Sequence, residues 1–107
     1  MNKFIGTGNL TKAVEIRYTA SGLAIANFTL AIRRDTKNKD GEYETDFINC
    51  VAYNNTADLI SKYLDKGDKL TVEGRIQTGS YEKDGKKVYT TDIVVDKVEF
   101  LNNKKGE

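Results

Sequence analysis

The stretch Thr45-Asp46-Phe47-Ile48-Asn49-Cys50-Val51-Ala52-Tyr53 (TDFINCVAY) carries two interleaved patterns. Side chains on a β-strand alternate faces with a period of two, so Phe47, Asn49, Val51 and Tyr53 share one face and Ile48, Cys50 and Ala52 the other. The second set is small and apolar and suits a packed interior. The first carries two aromatic rings. On a solvent-facing sheet it makes a platform for flat ligands, nucleobases foremost among them. The competing reading buries Phe47 and Tyr53 in a second core layer.

Outward from this strand, most of the chain reads as β-structure. Upstream, Lys3–Asn9 forms a first strand, continued by Glu15–Tyr18 after a kink at Thr11–Ala13. Thr19-Ala20-Ser21-Gly22 has turn composition. In the second strand, Leu23–Arg34, Ala24, Ala26, Phe28, Leu30 and Ile32 point one way and Asn27, Thr29, Ala31 and Arg33 the other. Asn38-Lys39-Asp40-Gly41 then signals a hairpin into the TDFINCVAY strand.

Downstream, a short helix is predicted, capped by Asn55 or Thr56, with Asp58 near its positive end and Ala57, Ile60 and Leu64 at helical spacing. Gly67 suits its C-terminal stop. Lys69–Gln77 alternates again, with Leu70, Val72 and Ile76 inward. Asp84-Gly85 marks a second hairpin, and a last strand runs to Leu101. There Val95 and Val98 share a face only through a bulge or bend near Asp96-Lys97. Three strands, one helix between the third and fourth, and two more strands give the element order of a mainly all-β, five-stranded OB-fold Greek-key barrel. Gly6, Gly8 and Gly74 fit the curvature and close approach of a small barrel better than a phosphate loop, since no helix follows them.

The bulk properties narrow the function classes. At 107 residues the chain forms one domain with a modest core, and no apolar run reaches membrane-spanning length. One cysteine and no histidine leave no internal disulfide, no ordinary zinc site and no cysteine–histidine nucleophile pair. A lone cysteine fits a reducing, cytoplasmic setting. The net charge of +1 makes charge distribution more informative than its sum. Arg33, Arg34, Lys37 and Lys39 cluster in one segment, and Lys83, Lys86 and Lys87 in another. An enzyme reading, such as a nuclease, would need clustered carboxylates for metal ions. Asp92 and Asp96 come nearest and stand roughly 13 Å apart along a straight strand. The expectation is therefore a non-enzymatic protein without metal or cofactor.

Across essentially its whole length the chain resembles bacterial and phage single-stranded DNA-binding proteins of the homotetramer-forming type. The matching segments are GNLTKAVEIRY from Gly8, ANFTLAIRR from Ala26, DFINCVAYN from Asp46, YLDKGDKLTVEGRIQT from Tyr63 and YTTDIVVDKVEFL from Tyr89. The resemblance implies sequence-tolerant binding and protection of single-stranded DNA in replication, recombination or repair. Phe47, Tyr53 and Tyr81 would stack on bases, and Arg33, Arg34, Lys37, Lys86 and Lys87 would meet phosphates. It also implies a homotetramer, for which the edge of the first strand, at Lys3, Phe4, Ile5 and Thr7, is the candidate interface. The chain departs from the family pattern at Asp35-Thr36, where an aromatic is usual, and at Asn49, Gln77, Gly79 and Ser80, where basic residues are. Both departures imply weaker binding.

The family reading places the DNA-binding domain at 1–101 and a disordered polar end at 102–107, in a bacterial cytoplasm or nucleoid, with chromosomal, phage and mobile-element origins all open. Relatives usually carry a further acidic tail that recruits replication and repair partners. This sequence ends in Asn102-Asn103-Lys104-Lys105-Gly106-Glu107, so tail-mediated partners are not expected for it. The alternative function is an OB-fold protein-interaction or replication-restart subunit, with Phe47 and Tyr53 buried against a partner.

Overall fold

In the computed structural model the described residues, 1–101, form six strands and one helix. They are β1 (Phe4–Leu10), β2 (Glu15–Tyr18), β3 (Ala24–Lys37), β4 (Tyr43–Tyr53), α1 (Asn54–Tyr63), β5 (Lys69–Lys83) and β6 (Lys86–Phe100). The polar end expected over 102–107 lies outside the described residues. β1 and β2 are the two halves of the bent first strand read from the sequence. The first half pairs with β5 and the second with β3, both antiparallel. The sheet order β1-β5-β6-β4-β3 closes through Asn9↔Ala31 and Leu10↔Leu30, and β2 extends β3 beyond that closure. The result is the five-stranded OB barrel, with the helix between β4 and β5.

The inward residues follow the predicted alternation. Ala24, Ala26, Phe28 and Leu30 of β3, Cys50 and Ala52 of β4, and Leu70 and Val72 of β5 are all buried. Ala57, Ile60 and Leu64 bring the helix segment into the same cluster. Full burial of a leucine or isoleucine is worth roughly 1.5–3 kcal/mol, so this one cluster dominates the stability. Cys50 belongs to it. Desolvation, with a smaller contribution from the Asp92 charge, pushes its thiol pKa up to about 12. A thiolate is the reactive form, so Cys50 should resist a bulky thiol reagent in the native protein and react only on unfolding. Rapid native-state labelling, read by mass spectrometry, would contradict this.

Of the bulge or bend expected on the last strand, the structure forms a bulge. Glu73 pairs with Lys97 and Gly74 with Val95, which leaves Asp96 without a partner on β5. The second hairpin is the two-residue turn expected, with Asp84 at φ 53° and Gly85 at φ 79° between Lys83 and Lys86. Positive φ at both central residues is the type I′ signature, whose twist matches that of the strands. The crowding expected at Gly8 and Gly74 is also present. A Cβ on Gly8 would fall onto the Ala31 carbonyl oxygen, and one on Gly74 onto the Val94 carbonyl oxygen.

The helix ends differ from expectation. It begins at Asn54, ahead of Asn55 and Thr56, which lie inside it, and no side chain caps it. Asn54 has φ 56°, a left-handed conformation that asparagine tolerates better than most residues. It lets β4 pass into the helix without a loop. Asp58 falls beyond the first turn. The helix stops at Tyr63 because Leu64 turns extended and packs inward, 5% exposed. Gly67, at φ 89°, serves the turn that follows, where Asp68 N–H donates to the Asp65 carbonyl at 3.0 Å. No helix among the described residues is long and apolar enough to cross a membrane.

Candidate nucleic-acid interface

The face of β4 opposite the core is set by register. Phe47 pairs with Ala31, Asn49 with Thr29, Val51 with Asn27 and Tyr53 with Ile25. Cross-strand partners share a face, and this one looks away from the buried Cys50 and Ala52. Phe47 is 65% exposed and Tyr53 38% exposed, so a second core layer does not form over them in this chain. The two rings stand six residues apart, about 20 Å along the strand at the usual rise.

The same face continues onto the second hairpin. Val51 pairs with Val94 on β6, and Val94 with Arg75 on β5. Counting in twos from Arg75 reaches Gln77, Gly79 and Tyr81 without a further break in register. Tyr81 is thus on the outer side with Phe47 and Tyr53, and it is 54% exposed. Beyond Arg75 the β5–β6 ribbon projects from the barrel, and residues 75–87 are exposed on both its sides. Lys86, paired with Lys83, continues the Tyr81 face, whereas Lys87, paired with Glu82, lies on the reverse.

The two adjacent arginines part company. Arg33 pairs with Thr45 and so joins the face of Phe47. Its guanidinium lies 4.6 Å from the centre of the Tyr43 ring, and no ion pair is formed by it among the described residues. Arg34 takes the opposite face. It grips Asp46 through Nε (3.1 Å to Oδ2) and Nη2 (2.9 Å to Oδ1), and Glu44 through Nη1 (2.7 Å). The Arg34 hydrogen bonds hold the Asp46 carboxyl below the usual carboxylate range. Arg34 therefore fastens the base of the first hairpin, and its charge is already matched. Lys37 lies farther out, with Nζ 5.7 Å from the Tyr43 ring.

β4 begins at Tyr43, two residues ahead of the Thr45 start expected from the sequence. The parity of Tyr43 with Thr45 and Phe47 was the available signal. Ile76 was expected inward but is 45% exposed. The reason is that β4 and β6 pair only at Cys50↔Ile93 and Val51↔Val94 and then part. They leave an open, mostly apolar cleft of about 340 Å³ walled by Phe47 and Ile48 on one side and Ile76 and Ile93 on the other.

At the candidate oligomer edge, Lys3 pairs with Glu73 at 2.7 Å and the Thr7 hydroxyl meets that of Thr71 at 2.7 Å. Phe4 is half-buried against the core and Ile5 is 66% exposed. The side of β1 away from β5 is paired with β3 only at Asn9 and Leu10. Leu10 N–H donates to the Asp68 carbonyl on the β5 side. By alternation, Ile5 and Thr7 turn their peptide groups toward the open edge.

Comparison with known proteins agrees with this geometry. A family model described as the single-strand binding protein family matches residues 1–101. The chain is 48% identical over 107 residues to "Single-stranded DNA-binding protein 3" of Listeria innocua, covering 99% of this chain and 67% of that protein. It is 47% identical to the "Single-stranded DNA-binding protein" of Bacillus cereus, covering 99% and 63%. It is 44% identical to "Single-stranded DNA-binding protein 1" of Staphylococcus aureus, covering 100% and 65%. The chain thus spans about two thirds of the length of these curated relatives, whose names state binding and no reaction. With the OB barrel and its exposed aromatic face, these matches establish that the chain belongs to the single-strand binding protein family.

Proposed function

We propose that this chain binds single-stranded DNA without sequence preference, stacking bases on Phe47, Tyr53 and Tyr81 and neutralising phosphates with Arg33, Lys37 and Lys86, whereas Lys87, on the reverse of the ribbon, is not part of this track. The observation that supports this reading is that register puts three exposed aromatics and Arg33 on the outer face of the β3-β4-β6-β5 run of the sheet. A duplex hides its base faces, so such platforms select single strands. Binding should be markedly tighter for oligo-dT than for duplex of equal length. The logarithm of affinity should fall with that of salt at a slope of about −0.7 per phosphate neutralised. Fluorescence anisotropy of labelled oligonucleotides at two salt concentrations measures both. Equal affinity for the two forms, or no response to oligo-dT, would instead favour the protein-interaction reading.

The protection of single strands in replication, recombination or repair, in a bacterial cytoplasm, belongs to this same proposal. So does self-assembly. The open edge of β1 offers the Ile5 and Thr7 peptide groups and the exposed Ile5 side chain for pairing with a second copy, as a step toward a homotetramer. Light scattering at micromolar concentration should give a mass above that of one 12.0 kDa chain. A proline at Thr7 should lower it, since proline cannot donate to a strand pairing. A monomer throughout would defeat the proposal.

A further inference from the structure

Tyr43 is the outermost aromatic on the β4 face, and its surroundings differ from those of the other exposed rings. It is 44% exposed, at the first residue of a strand that runs unbroken to Tyr53. Parity puts Tyr43, Phe47 and Tyr53 on one line, with roughly 13 Å and 20 Å between successive rings. Between Arg33 and Lys37, β3 advances four residues while β4 advances two, so the extra residues bulge out of β3. This irregularity is what brings both cations to one ring. The Arg33 guanidinium lies 4.6 Å from the ring centre and the Lys37 ammonium 5.7 Å. The neighbouring acids Glu44 and Asp46 are occupied on the reverse face by Arg34, and although Asp35 shares a surface hollow with Arg33, neither Arg33 nor Lys37 forms an ion pair among the described residues.

Resting on the single-stranded DNA reading above, we propose that Tyr43, flanked by Arg33 and Lys37, is a fourth stacking platform that extends the DNA track of β4 onto the first hairpin. A planar guanidinium held against a ring pre-forms a surface on which a base can stack. It also places a cation beside the phosphate that follows. The cluster is thus suited to the two chemical parts of one nucleotide, a flat base and an anionic linker. A tyrosine that merely steadied the hairpin would need no second cation.

The chain has no tryptophan, so Tyr43→Trp introduces a single reporter at this place. Anisotropy of a labelled oligo-dT follows binding independently of the tryptophan signal. The expected result is strong quenching of the tryptophan as the oligonucleotide binds. Tyr43→Leu should weaken binding by about 5- to 150-fold, the equivalent of one stacked base, with an unchanged salt slope. Arg33→Met should instead make the salt slope shallower by about 0.7. A tryptophan whose emission ignores bound oligonucleotide would overturn the proposal, as would a Tyr43→Leu variant that binds at full strength while Phe47→Ala does not. If the parent chain itself fails to bind oligo-dT, the failure lies with the function proposed above. Thermal melting of each variant guards against misfolding. A Tyr43→Leu protein that loses affinity only in proportion to a lowered Tm would assign the ring to hairpin stability and overturn its role as a platform.

Discussion

Replacing Phe47 by alanine is expected to weaken oligo-dT binding by about 1–3 kcal/mol while leaving the melting temperature nearly unchanged. The separation of the two effects follows from exposure. Phe47 is 65% exposed, so its removal opens no internal cavity, whereas a buried aromatic would cost about 3–5 kcal/mol of stability. Tyr53→Ala should behave the same way with a larger stability component, because that ring is only 38% exposed. Titration beside thermal melting distinguishes platform from core. A large fall in Tm with unaltered affinity would show that the ring supports the barrel and that DNA, if bound, lies elsewhere. Phe47 is also one wall of the cleft where β4 and β6 part, so its loss removes both a stacking face and one side of that cleft.

What the sequence made legible was local. Period-two alternation reports faces without knowledge of partners, so it separated Phe47 and Tyr53 from Cys50 and Ala52. The broken parity between Val95 and Val98 exposed a bulge or bend before its partner strand was known. Asp84-Gly85 announced its turn because few other dipeptides accept two positive φ values. What stayed hidden depended on distant pairings. Ile76 keeps its inward parity, but the point at which β4 leaves β6 decides whether that side of β5 meets core or solvent. The matched charge of Arg34 requires the register of β3 against β4. The helix began early because one left-handed asparagine replaced a loop. Tyr43 escaped notice because the irregularity that gathers Arg33 and Lys37 around it lies on the neighbouring strand.

Gly8→Ala should lower stability by about 1–3 kcal/mol, a fall in Tm of the order of 10 °C at fixed protein concentration. The added methyl would meet the Ala31 carbonyl oxygen, with the Ala31 carbonyl carbon at 2.9 Å and the Ile32 Cγ1 at 3.0 Å. Two of these three atoms are backbone of the strand against which β1 closes the barrel, so no side-chain rotation relieves the contact. The remedy left to the protein is to part β1 from β3, and their pairing is only Asn9↔Ala31 and Leu10↔Leu30. Gly79→Ala is the control. Its Cβ would meet only the Thr90 hydroxyl, at 3.3 Å on an exposed ribbon, and its melting should be nearly that of the parent. A parental melting curve for Gly8→Ala would show that the closure tolerates wider spacing and that the glycine is not there for close approach. The consequence reaches the binding face as well. Ala31 is the cross-strand partner of Phe47, so a displacement of β3 at Ala31 moves the strand that supports that ring. Gly8→Ala should therefore also weaken oligo-dT binding at temperatures where the variant remains folded, although Gly8 itself presents no side chain to a base.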